Sequence, residues 1–173
     1  MLEEWVSEAQ HYYDLLIRFH QPTTASYCKL ALGVALSLQC LFPSRVLLTE
    51  DADQEADMLK VFQSESDSIG LGYFYIYKLW LCYLFGELDL AQTYASNTRE
   101  VLLGVAGQMH ESLFLCLDSL VVIARAKRQD DLTDTLKRVE ANQQELKQHW
   151  ASHAPMNYQH KVDLVDAERC RIL

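Results

Sequence analysis

Thirteen consecutive residues from Tyr73 to Phe85, YFYIYKLWLCYLF, include one side chain, Lys78, that is neither apolar nor aromatic. A helix that is apolar on all sides needs cover on all sides, so this run predicts the central rod of an all-helical core. It is too short to span a bilayer, which takes roughly 20 residues. Gly86 ends the helix. A partner follows from about Asp89 to Leu103, with Leu88, Leu90, Ala91 and Ala95 as its first apolar positions.

The rest of the chain reads the same way. Trp5, Ala9, Tyr12, Tyr13, Leu16 and Phe19 recur at helical spacing in a first helix, Leu2 to His20. Gln21-Pro22 breaks it, and Pro22 suits the first turn of the next helix. That helix runs from about Thr23 to Leu41, with Ala25, Cys28, Leu32, Ala35, Leu36 and Cys40 as buried candidates. The two form an antiparallel hairpin. Phe42-Pro43-Ser44 stops the second helix, and Val46-Leu47-Leu48 in the connector is expected to tuck under a neighbour. The acidic run Glu50 to Asp57 opens a short helix ending near Ser66, its charges favoured by the helix dipole. The central helix begins near Ser68, and Gly104 to Gly107 forms a turn after its partner.

Met109 to Arg128 is a further apolar helix, broken at Gln129-Asp130-Asp131 with Asp131 as N-cap. A polar helix follows from Thr133 to about Ser152, with a narrow stripe of Leu132, Leu136, Val139, Leu146 and Trp150. His153-Ala154-Pro155 is the last break. Met156 to about Arg171 closes the chain, with Tyr158, Val162, Val165 and Arg169 in line. About eight helices and no strand make an all-α fold in one domain, residues 1–173. Its antiparallel pairs stack as a tetratricopeptide-like solenoid or as an irregular bundle. The pair around Gly86, with Ala91 and Ala95, fits the solenoid pattern best.

Charge excludes some partners. The chain carries a net −9, and residues 1–98 hold 13 acids against 5 bases. Such a half repels phosphate backbones, which argues against nucleic acid. No stretch has the length of a membrane span. Cys28, Cys40, Cys82, Cys116 and Cys170 are widely spaced and odd in number, fitting buried thiols in a reducing cytoplasm.

Motifs for chemistry are sparse. Asp51-Ala-Asp53-Gln-Glu55-Ala-Asp57 imitates the start of a calcium loop, but Ala56 and Phe62 stand where Gly and Glu are needed, so it reads as a solvated helix start. His149 and His153 are four apart and His160 follows, without further ligands at matching intervals for zinc. His110-Glu111 lacks the second His of a zinc protease helix. Asp118 and Ser119 fall inside an apolar helix, where a carboxylate must be paired or hydrogen-bonded. No nucleotide loop, kinase loop or nucleophile elbow occurs. Catalytic, cofactor-binding and metal-binding residues are therefore none, and no cofactor is implied.

Trp150 to Arg171, WASHAPMNYQHKVDLVDAERCR, resembles a segment of known proteins. It is similar to the end of the helical region in very large signalling proteins, common in cyanobacteria, that join a serine/threonine kinase, an AAA-type ATPase, helical repeats, a GAF domain and often a histidine kinase. The matching residues are His153-Ala-Pro-Met-Asn157, His160-Lys161 and Asp166-Ala-Glu-Arg169. Tyr77-Lys-Leu with Leu81 to Gly86, and Asp118-Ser-Leu120 with Lys137 to Gln143, agree in the same order. The first 70 residues match loosely. The resemblance implies a non-catalytic interaction or linker module of a multidomain, ATP-binding signalling kinase, in contact with proteins or neighbouring domains. It carries over no catalytic residue. An exposed terminal helix pair would favour a homodimer in isolation. The alternative is a small-molecule sensor enclosing its ligand in the aromatic core. A third reading is an enzyme using Asp118 with a histidine.

Overall fold

The computed structural model describes residues 2–126 and 132–173. Among the described residues it contains eight α-helices and no strand, so the fold is all-α. The helices are α1 (Leu2–Arg18), α2 (Pro22–Leu38), α3 (Ala52–Ser64), α4 (Ser68–Leu84), α5 (Leu88–Val101), α6 (Met109–Ala126), α7 (Thr133–Glu145) and α8 (Pro155–Ile172). The break expected at Gln129-Asp130-Asp131, the N-cap expected at Asp131 and the helix end expected at Arg128 lie outside the described residues.

Local chemistry sets the helix ends. Pro22 and Pro155 stand in the first turns of α2 and α8, where a missing N–H costs nothing. Asp51 caps α3 by accepting from Gln54 N at 2.8 Å. Asp67 caps α4 by accepting from Gly70 N at 2.9 Å, and Tyr27 on α2 donates to the same carboxylate at 2.7 Å. The α4 cap is thus tied to another helix.

The helices pack in a two-layer order. α4 pairs with α5, and α6 with α7. One row, α2–α4–α6–α8, runs through the molecule with each member touching the next. The other layer fills in behind it: α3 packs on α4, α5 on α6, and α7 on α8. Ala91 and Ala95 of α5 are fully buried and let its backbone approach α4 closely. Gly86, at φ +82°, makes the turn between them in a conformation that suits glycine. Residues 71–83 of α4 include none that is exposed, so the apolar run is covered as expected up to Tyr83. Leu84, at its end, is half exposed.

Several expectations need correction. α5 ends at Val101 and continues as a 3₁₀ turn, Leu102–Val105, which turns Val105 fully inward. α7 ends at Glu145, and Leu146–Ala151 winds as a π-turn with Ser152 N bonded to Lys147 O at 3.1 Å. The wider winding brings residues five apart together, so Leu146 and Ala151 are both buried. The first helix ends at Arg18 rather than His20, so Phe19 falls in the turn after it, and Tyr12 and Phe19 of the expected apolar stripe are 58% and 67% exposed. The reason is that, among the described helices, the α1 backbone comes close only to α2, leaving that flank of the stripe without a packed helix. Cys40 is exposed because it lies in the turn beyond α2, at φ +58°. Cys170 is exposed on α8, so neither thiol behaves as a core residue.

The largest correction concerns the acidic run. Glu55 is buried, not solvated. Its Oε2 accepts from Leu48 N at 2.8 Å and its Oε1 from Lys78 Nζ at 2.6 Å. Lys78 also donates to Val46 O at 2.5 Å. These bonds clamp the connector against α3 and α4, which is why Leu48 tucks in fully.

Candidate functional site

A half-enclosed groove of about 520 Å³ opens along the helix row. Its walls follow a simple rule. α4, α6 and α8 each contribute two residues three apart: Tyr77 and Trp80, His110 and Leu113, Tyr158 and Lys161. Residues three apart share a helix face, so three successive helices turn one face each to the same space. Trp5, from α1, forms the remaining wall, and Met109 and Asn157 flank it. The lining is mostly aromatic and aliphatic, with a few polar groups, which is the composition of a binding site for an organic group.

The polar groups are held in place. His110 stacks on Tyr73 with ring centroids 4.0 Å apart, and Tyr73 touches Tyr27 at 5.3 Å. Tyr73 OH donates to the Gln108 side chain. His110 Nε2 lies 2.9 Å from Tyr77 OH, while its Nδ1 is buried without a hydrogen-bond partner among the described residues. Burial lowers the imidazole pKa, so His110 is held neutral. Burial also raises the Tyr77 hydroxyl, which keeps its proton. Lys161 Nζ stands 5.0 Å over the Tyr158 ring and 3.4 Å from Asn157 O. Burial lowers its pKa as well.

A second polar centre lies further along α6. Asp118 is fully buried and receives Arg138 Nε at 3.0 Å and Asn142 Nδ2 at 2.7 Å, both from α7. Arg138 Nη2 and Arg99 of α5 donate to the same carboxylate. Asn142 also reaches Ser119 Oγ at 3.1 Å. Asp118 therefore ties three helices together. Its partners are two arginines and an asparagine rather than a histidine, and this is the pairing that burial demands.

The remaining sequence candidates lie apart. His149, His153 and His160 are exposed. No group of three or more metal-ligating side chains gathers among the described residues. Of the aromatic run, Phe74 and Tyr75 are core, while Tyr77 and Trp80 reach the groove. The three segments quoted for the family resemblance divide between the two centres. Tyr77, Asn157 and Lys161 line the groove, and Asp118, Arg138 and Asn142 form the buried network.

Sequence reading missed the groove as a unit. Trp5 reads as core stripe, His110 as half of a failed motif, and Lys161 as one residue of a matching segment. The signal that points to it, three pairs at spacing three on alternate helices, becomes visible only once the row of helices is known. Comparison with protein-family models, with curated proteins and with solved structures found no match.

Proposed function

We propose that this chain is a non-catalytic helical-repeat module that holds a partner protein or a neighbouring domain, as the resemblance to the helical region of multidomain signalling kinases implies. One observation carries the reading. Tyr12 on α1 and Phe19 in the turn that follows it present large rings to solvent at the end of the helix row. Large apolar side chains exposed on an uncovered helix flank are the mark of a contact surface. A further helix or domain packed there would continue the stacking that α1 already makes on α2.

Selection of displayed random peptides against the full chain tests this. Binders that lose at least about tenfold in affinity, or roughly 1.4 kcal/mol, against Tyr12→Glu/Phe19→Glu support the reading. A selection that yields no binder, or only binders indifferent to the double substitution, rejects it. Both rings are exposed, so the variant is expected to fold.

The groove favours a second reading, a small-molecule sensor. Its volume and aromatic lining suit a compact organic ligand. On this reading the ligand lies between the helices of the row and α1, rather than enclosed in the core.

A further inference from the structure

We propose that the groove binds a small aromatic carboxylic acid, its ring between Trp5, Trp80 and Tyr158 and its carboxylate on Lys161 Nζ. The inference rests on the sensor reading and names the ligand class.

The walls define the ring. Indole and phenol rings from three separate helices face one half-enclosed space of about 520 Å³. Flat aromatic surfaces pair with another ring in offset or edge geometry. Four helices bound the space, so it admits a compact molecule more readily than an internal stretch of polypeptide, which needs an entrance and an exit.

The charge defines the other end. With His110 neutral, Lys161 is the one charged residue among the described residues lining the groove, in a chain of net −9. Among the described residues its neighbours are the Asn157 carbonyl, the Tyr158 ring and the Cys116 thiol, which burial keeps protonated, and none of them carries a negative charge. A partly desolvated ammonium without a counter-ion gains from a carboxylate brought by a ligand, through a charge-assisted hydrogen bond. A neutral or cationic ligand would leave that ammonium unmatched.

The order of helices gives the ligand a structural consequence. Trp5 belongs to α1, whose backbone approaches only α2, while the other walls belong to α4, α6 and α8. A ring held between them bridges α1 to the far end of the row.

Calorimetric titration of the full chain with indole-3-acetic acid, indole-3-acetamide and a decapeptide ending in tryptophan tests the assignment. The acid is expected to bind at least about tenfold more tightly than the amide. Lys161→Met should remove that difference. Equal affinities for acid and amide, or a difference that survives in Lys161→Met, would overturn the carboxylate assignment while leaving a small-molecule groove standing. A decapeptide that binds more tightly than the free acid would overturn the small ligand in favour of a chain terminus. No binding by any of the three at millimolar concentration would overturn both the assignment and the sensor reading.

Discussion

Lys78 on α4 donates to Glu55 on α3 at 2.6 Å, with both side chains almost wholly withdrawn from water. The pair also holds two backbone groups of the connector, Leu48 N and Val46 O. A buried ion pair is costly to half-dismantle, because the remaining charge has neither partner nor solvent. Glu55→Gln is therefore expected to destabilise the fold by about 3 kcal/mol. The double variant Glu55→Gln/Lys78→Met should cost less than the sum of the two single ones. Urea unfolding of the four proteins in a double-mutant cycle measures this coupling.

The Asp118 network should respond unequally to its members. Asp118 is fully buried, whereas the Arg99 and Arg138 side chains are 40% and 28% exposed. Asp118→Ala removes the common acceptor and is expected to cost about 3 kcal/mol or more. Arg99→Ala should cost less than Arg138→Ala, because Arg138 makes two bonds and is the better shielded. Thermal unfolding of the three variants gives the order, and Arg99→Ala as the worst of them would contradict it.

Two glycines separate conformational strain from crowding. A Cβ on Gly33 would lie 2.0 Å from the Leu48 carbonyl oxygen, so Gly33→Ala must push the connector away. Overpacking of this kind costs roughly 1–3 kcal/mol. A Cβ on Gly86 meets nothing within 4 Å, but the residue has φ +82°. Gly86→Ala is expected to cost about 1–2 kcal/mol from the left-handed backbone alone. Crystal structures of the variants should show the connector displaced in the first and nothing displaced in the second.

Thiol labelling should divide the cysteines. Cys40 and Cys170 are exposed, whereas burial pushes the Cys82 and Cys116 thiols up to about 11. The reactive form is the thiolate. At pH 8 an alkylating reagent should modify Cys40 and Cys170 rapidly, and Cys82 and Cys116 only after unfolding. Peptide mass mapping at timed quenches reads the order.

His110 should make stability fall on the acid side. Its pKa in the folded chain lies below the unfolded value, so the unfolded chain binds the extra proton first. Its contribution is full above about pH 6.5 and is lost as pH falls through the folded pKa. Unfolding free energies measured across that range should slope downward with acid. His110→Phe should flatten the slope relative to the parent chain.

The apolar run 73–85, the proline breaks and the helical spacing carry the fold class in the sequence, because each states a local requirement. A rod greasy on every side can only be a core rod, and the stacking around Gly86 follows from Gly86, Ala91 and Ala95 themselves. The need for Asp118 to be paired is equally local, since burial alone imposes it. The identity of its partners is not, because Arg99, Arg138 and Asn142 reach it from helices on either side. Glu55 reads as solvated within its acidic run, and only the fold of the connector over α3 and α4 brings Lys78 and two backbone groups to it. The exposure of Tyr12 and Phe19 likewise depends on which helices fail to reach α1. The groove belongs wholly to this second class. Trp5, His110 and Lys161 carry no signal in their own helices and come to line one groove through the register of four helices. That register is set by packing between residues far apart in the chain, which no local pattern encodes.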